Sequence, residues 1–174
     1  MKMQNIEIKA QCNNLKIARQ AVVQTGAVFS EVLEQKDTYF PVKNGRMKLR
    51  EIPGKQSQLI FYSRPDTPGP RTSEYHIYAV DNVGALKELL DKALSVSMIV
   101  DKQRKLYRYD EVRIHLDTVT GLGDFIELEG VLKPESDYHT VQSKVDYLLK
   151  ALNIDDNQLI PYSYSDLLRD QSPD

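Results

Sequence analysis

Charged side chains recur at every second position inside segments of strand character. Glu7 and Lys9 alternate with Ile6, Ile8 and Ala10, and Lys48 and Arg50 alternate with Met47 and Leu49. Arg113, His115 and Asp117 alternate with Val112, Ile114 and Leu116, and Glu127 and Glu129 with Ile126 and Leu128. Lys102 and Arg104 form another pair two residues apart. A period of two puts each set on one face of a strand. On an open antiparallel sheet that face would simply be wet. Wet faces, however, usually carry a loose mixture of Thr, Ser, Gln and Lys, whereas these are close pairs of full charges of both signs. Helical segments are also available to cover an apolar outer surface. A sheet closed on itself accommodates both facts, with aliphatic side chains outward beneath helices and ionic side chains in the lumen. A barrel of about eight strands is filled by side chains or holds one small ligand. Ions buried at this density must pair with one another, bind metal or receive an oppositely charged ligand. The basic set suits a polyanion and the acidic set suits Mg²⁺ or Mn²⁺. Magnesium is typically held by one or two carboxylates plus substrate phosphates, and Arg forks match phosphate oxygens in pairs. A tunnel carrying both sets suits a triphosphate.

The elements that position these residues can be read along the chain. Residues 5–10 form the first strand, and Asn13-Asn14 caps a helix carrying Leu15, Ala18 and Val22 at helical spacing, with Gly26 as its stop. Residues 28–42 read as extended apart from Pro41, and Asn44-Gly45 signals a hairpin into a strand over 46–52. The next strand, 58–64, sets Ile60, Tyr62 and Arg64 opposite Leu59 and Phe61. Three prolines and a glycine within 65–70 exclude that stretch from a sheet. Extended structure resumes over 72–80, and Asp81 or Asn82 caps a helix with Val83, Leu86, Leu89, Leu90 and Ala93 as its apolar stripe. Strands follow over 96–110, 112–117 and 125–130, with 118–124 as a turn, then a helix over about 136–152 and one helical turn near 164–169. The fold class is therefore α+β, a closed antiparallel barrel of about eight strands with helices packed outside, in a single domain over 1–174.

The chain has 174 residues and a formal charge of −2, and its positive residues are not pooled. That excludes disordered, collagenous and coiled-coil classes and argues against a general nucleic-acid binder. At this length a folded chain buries roughly 70% of the surface its unfolded form exposes, which is enough for a core without staples. Cys12 is the lone cysteine, so no internal disulfide forms. Residues 1–20 do not resemble a secretory signal, and no apolar run approaches the ~18 residues of a membrane span. A cytoplasmic protein with no membrane or nucleic-acid partner is expected, and a homodimer is compatible with the sequence.

Asn5-Ile6-Glu7-Ile8-Lys9, Met47-Lys48-Leu49-Arg50-Glu51, Asp101-Lys102-Gln103-Arg104 and His115-Leu116-Asp117 occur in that order, followed by Thr120-Gly121-Leu122-Gly123-Asp124-Phe125-Ile126-Glu127. Together they resemble the CYTH superfamily of triphosphate tunnel metalloenzymes, which opens with Glu-x-Glu-x-Lys. The Thr120 to Phe125 run and the late Ser163-Tyr164-Ser165-Asp166-Leu167-Leu168 look most like its class IV adenylyl cyclase branch. The resemblance implies a metal-dependent enzyme that converts ATP to cyclic AMP and pyrophosphate. It allows an inorganic or organic triphosphatase acting on tripolyphosphate, thiamine triphosphate or nucleotides, or a non-catalytic receptor for such anions. It implies Lys9, Arg50, Lys102 and Arg104 as the catalytic set, and Lys48, Arg50, Lys102 and Arg104 as triphosphate-binding, with Arg64 and Arg113 added. Glu7 and Glu127 would hold Mg²⁺ or Mn²⁺, supported by Asp117 and Glu129. Two departures stand out. Asn5 replaces the family's first metal-binding Glu and brings no charge, and Ser63-Arg64-Pro65-Asp66 replaces a Lys followed by Gly-Pro. Arg and Lys differ in geometry and are not freely exchanged. Arg104→Ala is expected at this level to weaken triphosphate binding and leave the fold intact.

Other features read as structural. Gly121-x-Gly123 lacks a third glycine and a following helix, so it is a turn. His76, His115 and His139 have no zinc spacing, although His115 shares the charged face with Asp117. Tyr62 shares the face of Arg64, and residues 65–71 read either as a lid over the tunnel mouth, with Arg71 reaching inward, or as a connector, the connector being favoured.

Overall fold

Closure resolves the alternation of ionic and aliphatic residues. The computed structural model describes residues 3–171. Its strands are β1 (Met3–Gln11), β2 (Val28–Phe40), β3 (Arg46–Glu51), β4 (Ser57–Ser63), β5 (Arg71–Val80), β6 (Met98–Tyr109), β7 (Val112–Val119) and β8 (Gly123–Leu132). They form a closed antiparallel barrel in the order β1, β5, β4, β3, β2, β6, β7, β8, and β8 pairs back onto β1. The helices are α1 (Leu15–Gln24), α2 (Val83–Leu94), α3 (Tyr138–Ala151) and α4 (Tyr164–Gln171), and a 3₁₀ turn at Asp156–Gln158 precedes α4. None of these helices is long and apolar enough to cross a membrane.

The aliphatic faces of β1, β7 and β8 point outward and are covered. Ile6, Ile8, Ile114, Leu116 and Leu128 pack with Val22 of α1 and with Val141, Val145 and Leu148 of α3. Those three α3 residues fall at i, i+4 and i+7, one face of a helix. Local chemistry starts both helices: the Asn14 side chain accepts from the Lys16 and Ile17 amides, and Asp137 accepts from the Thr140 amide. A second patch places Phe40, Leu49 and Val80 with Leu90 of α2. Full burial of one such side chain contributes about 1.5–3 kcal/mol, so these two patches hold the helices on the barrel.

Gly130 shows how closely α3 sits on β8. A Cβ there would lie 2.6 Å from Val141 Cγ1 and 3.0 Å from Val145 Cγ2. Gly130→Ala is expected to push α3 outward and lower stability by about 1–3 kcal/mol, the usual range for an overpacked core. Urea denaturation measures it, and unchanged stability would show that the two valines rotate away without penalty.

Two boundaries differ from the sequence reading. The stretch 118–124, expected as a turn, continues both strands and reverses only over 120–122, because Thr118 pairs with Asp124 and its hydroxyl donates to the Asp124 carboxylate at 2.8 Å. The tail is more than one turn, since Leu159 bridges to Ala10 and the Ile160 amide donates to the Lys9 carbonyl at 2.8 Å before α4 begins. That bridge brings the C-terminal segment to the lumen.

Candidate active site

The barrel encloses a cavity of about 310 Å³. Glu7, Lys9, Lys48, Arg50, Arg64, Lys102, Arg104, Arg113, Glu127 and Glu129 all line it, as does Asn5. Asp117 does not, although it is completely buried. Both of its oxygens are engaged from the lumen side. Arg104 donates through Nε at 2.7 Å and Nη2 at 2.6 Å, and the Tyr164 hydroxyl donates at 2.8 Å. Asp117 is therefore the support that holds Arg104, one layer behind the cavity wall.

Strand register builds the rest from cross-strand neighbours, the pairs whose side chains meet in a sheet. Lys9 faces Glu127 across β1 and β8, His115 faces Glu127 across β7 and β8, and Arg50 faces Asp37 across β2 and β3. Three ionic clusters result. In the first, Arg104 bridges Asp117 and Glu127, with Nη2 at 2.6 Å from Glu127, while Lys9 Nζ lies 3.3 Å and His115 Nδ1 3.2 Å from the same carboxylate. In the second, fully buried Asp37 receives Arg50 Nε and Nη2 at 2.7 Å, Lys48 Nζ at 2.9 Å and Lys102 Nζ at 3.5 Å. In the third, Glu7 lies 2.8 Å from Arg64 Nε and accepts from Arg71 Nε at 3.2 Å.

Several members of these clusters escape sequence reasoning. Asp37 is the hub of the second cluster, yet Glu34-Gln35-Lys36-Asp37-Thr38 is polar at every position, so period two marks no face there. For Arg71 the less favoured of the two sequence alternatives holds, an inward reach rather than a place in a connector. It starts β5 and reaches inward to Glu7, and it also donates to the Thr67 and Ile160 carbonyls at 2.9 and 3.2 Å. Tyr164 arrives from the tail, its ring centroid 3.4 Å from Lys9 Nζ and 5.0 Å from Lys102 Nζ. His115, flagged by its face alone, is buried against Glu127. Asn5 lines the lumen with its carbonyl oxygen accepting from the Tyr75 hydroxyl at 3.2 Å.

The electrostatics follow from burial and from whichever charge is nearest. Burial opposes ionisation of Glu127, but Lys9 and Arg104 outweigh it and hold the carboxyl well below its ordinary value. Arg50, Lys48 and Lys102 likewise overcome burial at Asp37. Glu7 goes the other way: burial raises it, and the nearby Glu127 and Glu129 carboxylates add to that against Arg64 and Arg71. Lys102 is lowered well below the usual lysine range, first by burial and then by Arg104 and Arg50. A polyanion beside it would favour its charged form. Anion affinity is therefore expected to fall as pH rises, starting at pH values where an ordinary lysine is still fully charged. Titration calorimetry across that range checks this: a Lys102→Met variant should flatten the slope, and identical slopes would exclude Lys102 as its source.

The comparisons with known proteins agree with this architecture. A solved structure of a Pyrococcus horikoshii protein superposes with a TM-score of 0.82 at 23% identity, covering 94% of this chain and 98% of that one. A candidate adenylyl cyclase from Hippeastrum, described as having a dominant triphosphatase activity, superposes with a TM-score of 0.66 at 14% identity over 98% and 97% of the two chains. At these identities the likeness is one of fold. A Methanocaldococcus jannaschii protein named as a candidate adenylate cyclase is 34% identical over 68 residues, a stretch that spans 39% of each chain. Residues 3–164 match the CYTH domain, and with the eight-stranded barrel and its ionic lumen already described, the chain belongs to the CYTH domain family.

Proposed function

We propose that this protein is a metal-dependent enzyme acting on a triphosphate inside the barrel, with conversion of ATP to cyclic AMP and pyrophosphate as the reaction. The observation that carries this reading is the convergence of Lys9, Lys48, Arg50, Lys102 and Arg104 on one enclosed cavity. Basic groups outnumber the carboxylates available to neutralise them, and buried charge without a partner is unfavourable. A polyanion supplies the missing charge.

The donor set suits a divalent cation. Glu7 and Glu129 are directly opposed across β1 and β8, and ligand atoms of His115, Glu127 and Glu129 lie within 4.8 Å of one another. The rise at Glu7, to which neighbouring carboxylates contribute, is the sign of an acidic group that a cation would relieve. Glu7, Glu127 and Glu129 would hold Mg²⁺ or Mn²⁺, with Asp117 kept behind Arg104 rather than serving as a ligand. Oxygen ligands of this kind suit such hard cations, which polarise phosphoryl oxygens when bound.

The chain's own residues account for binding and orientation. Arg50 and Arg104 offer forks that match phosphate oxygens in pairs. Lys9 and Lys102 add point charges deeper in the cavity. During cyclisation the ribose 3′-oxygen attacks the α-phosphorus, its proton leaves, and the bond to the departing pyrophosphate breaks. Lys48, Arg50, Lys102 and Arg104 would stabilise the charge that develops on that leaving group, and electrostatics of this kind dominate phosphoryl transfer. One sector of the lining carries no ionic groups: Met3, Ile60, Tyr75 and Ile77, flanked by Asn5 and Gln58. That sector suits a heterocyclic ring and favours a nucleotide over bare tripolyphosphate.

Hydrolysis is the second reading, favoured by the Hippeastrum protein, whose similar barrel is described as a dominant triphosphatase. The test is incubation with Mg²⁺ or Mn²⁺ and, in turn, ATP, tripolyphosphate and thiamine triphosphate. Cyclic AMP with pyrophosphate from ATP is the expected product. Orthophosphate would replace cyclisation with hydrolysis, and no product from any of the three would leave a binding protein.

A further inference from the structure

Two arginines of the lumen are held by the same device. Asp37 stands directly opposite Arg50 across β2 and β3, and Asp117 directly opposite Arg104 across β6 and β7. In each pair the carboxylate accepts from the Nε and Nη2 edge of the guanidinium. Both arginines line the cavity and neither aspartate does. Among the described residues no protein group accepts from Nη1 of either arginine, so that side of each remains available to a ligand.

The two aspartates differ in load. Among the described residues Asp117 meets one cation, whereas Asp37 meets Lys48 at 2.9 Å and Lys102 at 3.5 Å as well as Arg50. Its three cations come from both strands that flank β2, Lys48 and Arg50 from β3 and Lys102 from β6. Asp37 is fully buried, so water does not compete for it. Like charges crowded at one wall repel, and long flexible side chains lose freedom when an anion orders them. A carboxylate behind the wall offsets the repulsion and places that ordering ahead of binding. Because Asp37 stands outside the cavity lining, it acts through these cations.

We propose that Asp37 is the positioning residue of the phosphate-binding wall, holding Lys48, Arg50 and Lys102 as a single group with the Nη1 side of Arg50 turned to the cavity. The inference rests on the triphosphate reading above. Lys102 reports on it. Asp37 from β2 and Asp117 from β7 favour its charged form, while Arg104 on its own strand and Arg50 from β3 oppose it. Lys48 shares the Asp37 carboxylate, and the Tyr164 ring of α4 lies 5.0 Å from Lys102 Nζ. Without the charge of Asp37, Lys102 gives up its proton at lower pH.

The test compares wild type, Asp37→Asn, Lys102→Met and the double variant. Binding of tripolyphosphate with Mg²⁺ is measured by titration calorimetry across pH, and turnover is measured with ATP. Asp37→Asn keeps the size of the side chain and removes its charge. The pH at which affinity begins to fall is expected to move to lower values in this variant, and turnover to drop roughly 100-fold, the cost of about 1 Å of misplacement. In the Lys102→Met background Asp37→Asn should leave the pH dependence unmoved and still lower turnover, because Lys48 and Arg50 lose their anchor. A folded Asp37→Asn protein with the wild-type pH dependence and turnover, whatever its urea midpoint, would mark a purely structural residue and overturn the proposal alone. Should that variant not fold, Lys102→Met is compared with the double variant, which loses one charge of each sign. A further fall in turnover then supports the proposal, and equal turnover overturns it. Wild type that binds neither tripolyphosphate nor ATP would overturn the triphosphate reading and the role of Asp37 with it.

Discussion

Arg104→Ala is expected to destabilise the folded protein by roughly 3–5 kcal/mol, as well as to abolish triphosphate binding. Sequence reasoning pointed to an intact fold, on the view that removing one of several clustered cations relieves repulsion. The structure reverses that balance. Arg104 forms a two-pronged bond with Asp117, which among the described residues has no other ionic partner within hydrogen-bond reach, and it also holds Glu127. Deleting it strands the buried Asp117 carboxylate and leaves Glu127 with Lys9 and His115, which is far more damaging than the loss of a surface pair. The pH dependence has a definite sign. Both carboxyls lie below their ordinary values when folded, so their contribution is present at neutral pH and lost as pH falls through those lowered values. The difference between wild type and Arg104→Ala should therefore be largest near neutrality and shrink in acid. Urea unfolding at several pH values measures it, and a variant of wild-type stability would show that Asp117 finds another cation. Arg104→Lys keeps the charge without the fork and should recover only part of the loss.

Glu127→Gln is expected to lower metal-dependent turnover by at least about 100-fold, the scale typical of removing one preorganised electrostatic group. The amide keeps the size of the carboxyl and still accepts from Arg104, so stability should change much less than in Arg104→Ala. Its charge, however, no longer joins those of Glu7 and Glu129. Activity measured over a Mn²⁺ titration should show both weaker metal dependence and a lower plateau. An unchanged titration with unchanged turnover would remove Glu127 from the metal-binding set.

What the sequence made legible was whatever depends on neighbours along the chain. Period two is local, so the faces of Glu7 with Lys9, Lys48 with Arg50, and Glu127 with Glu129 could be assigned before any strand was paired. The mixed signs on those faces pointed to closure, and the barrel is closed. Partners across strands are not local. Asp117 read as one more carboxylate for a metal, because its engagement by Arg104 depends on the β6–β7 register and that by Tyr164 on a residue 47 positions away. Asp37 was hidden by an uninterrupted polar stretch. Arg71 sits just after a proline-rich loop, and its inward reach depends on Glu7, 64 residues earlier. Tyr164 reaches the lumen on a segment that Leu159 bridges to Ala10 and that the Ile160 amide ties to the Lys9 carbonyl, more than 140 residues away in sequence.

The most direct test is a crystal structure of the protein with Mn²⁺ and a non-hydrolysable ATP analogue. The account predicts phosphate oxygens within hydrogen-bonding distance of Lys9, Arg50, Lys102 and Arg104, manganese on Glu7, Glu127 and Glu129, and the base against Ile60, Tyr75 and Ile77. Phosphates bound on the outer surface of the barrel, with the Asp37 and Asp117 ion pairs undisturbed and the lumen without ligand, would contradict it.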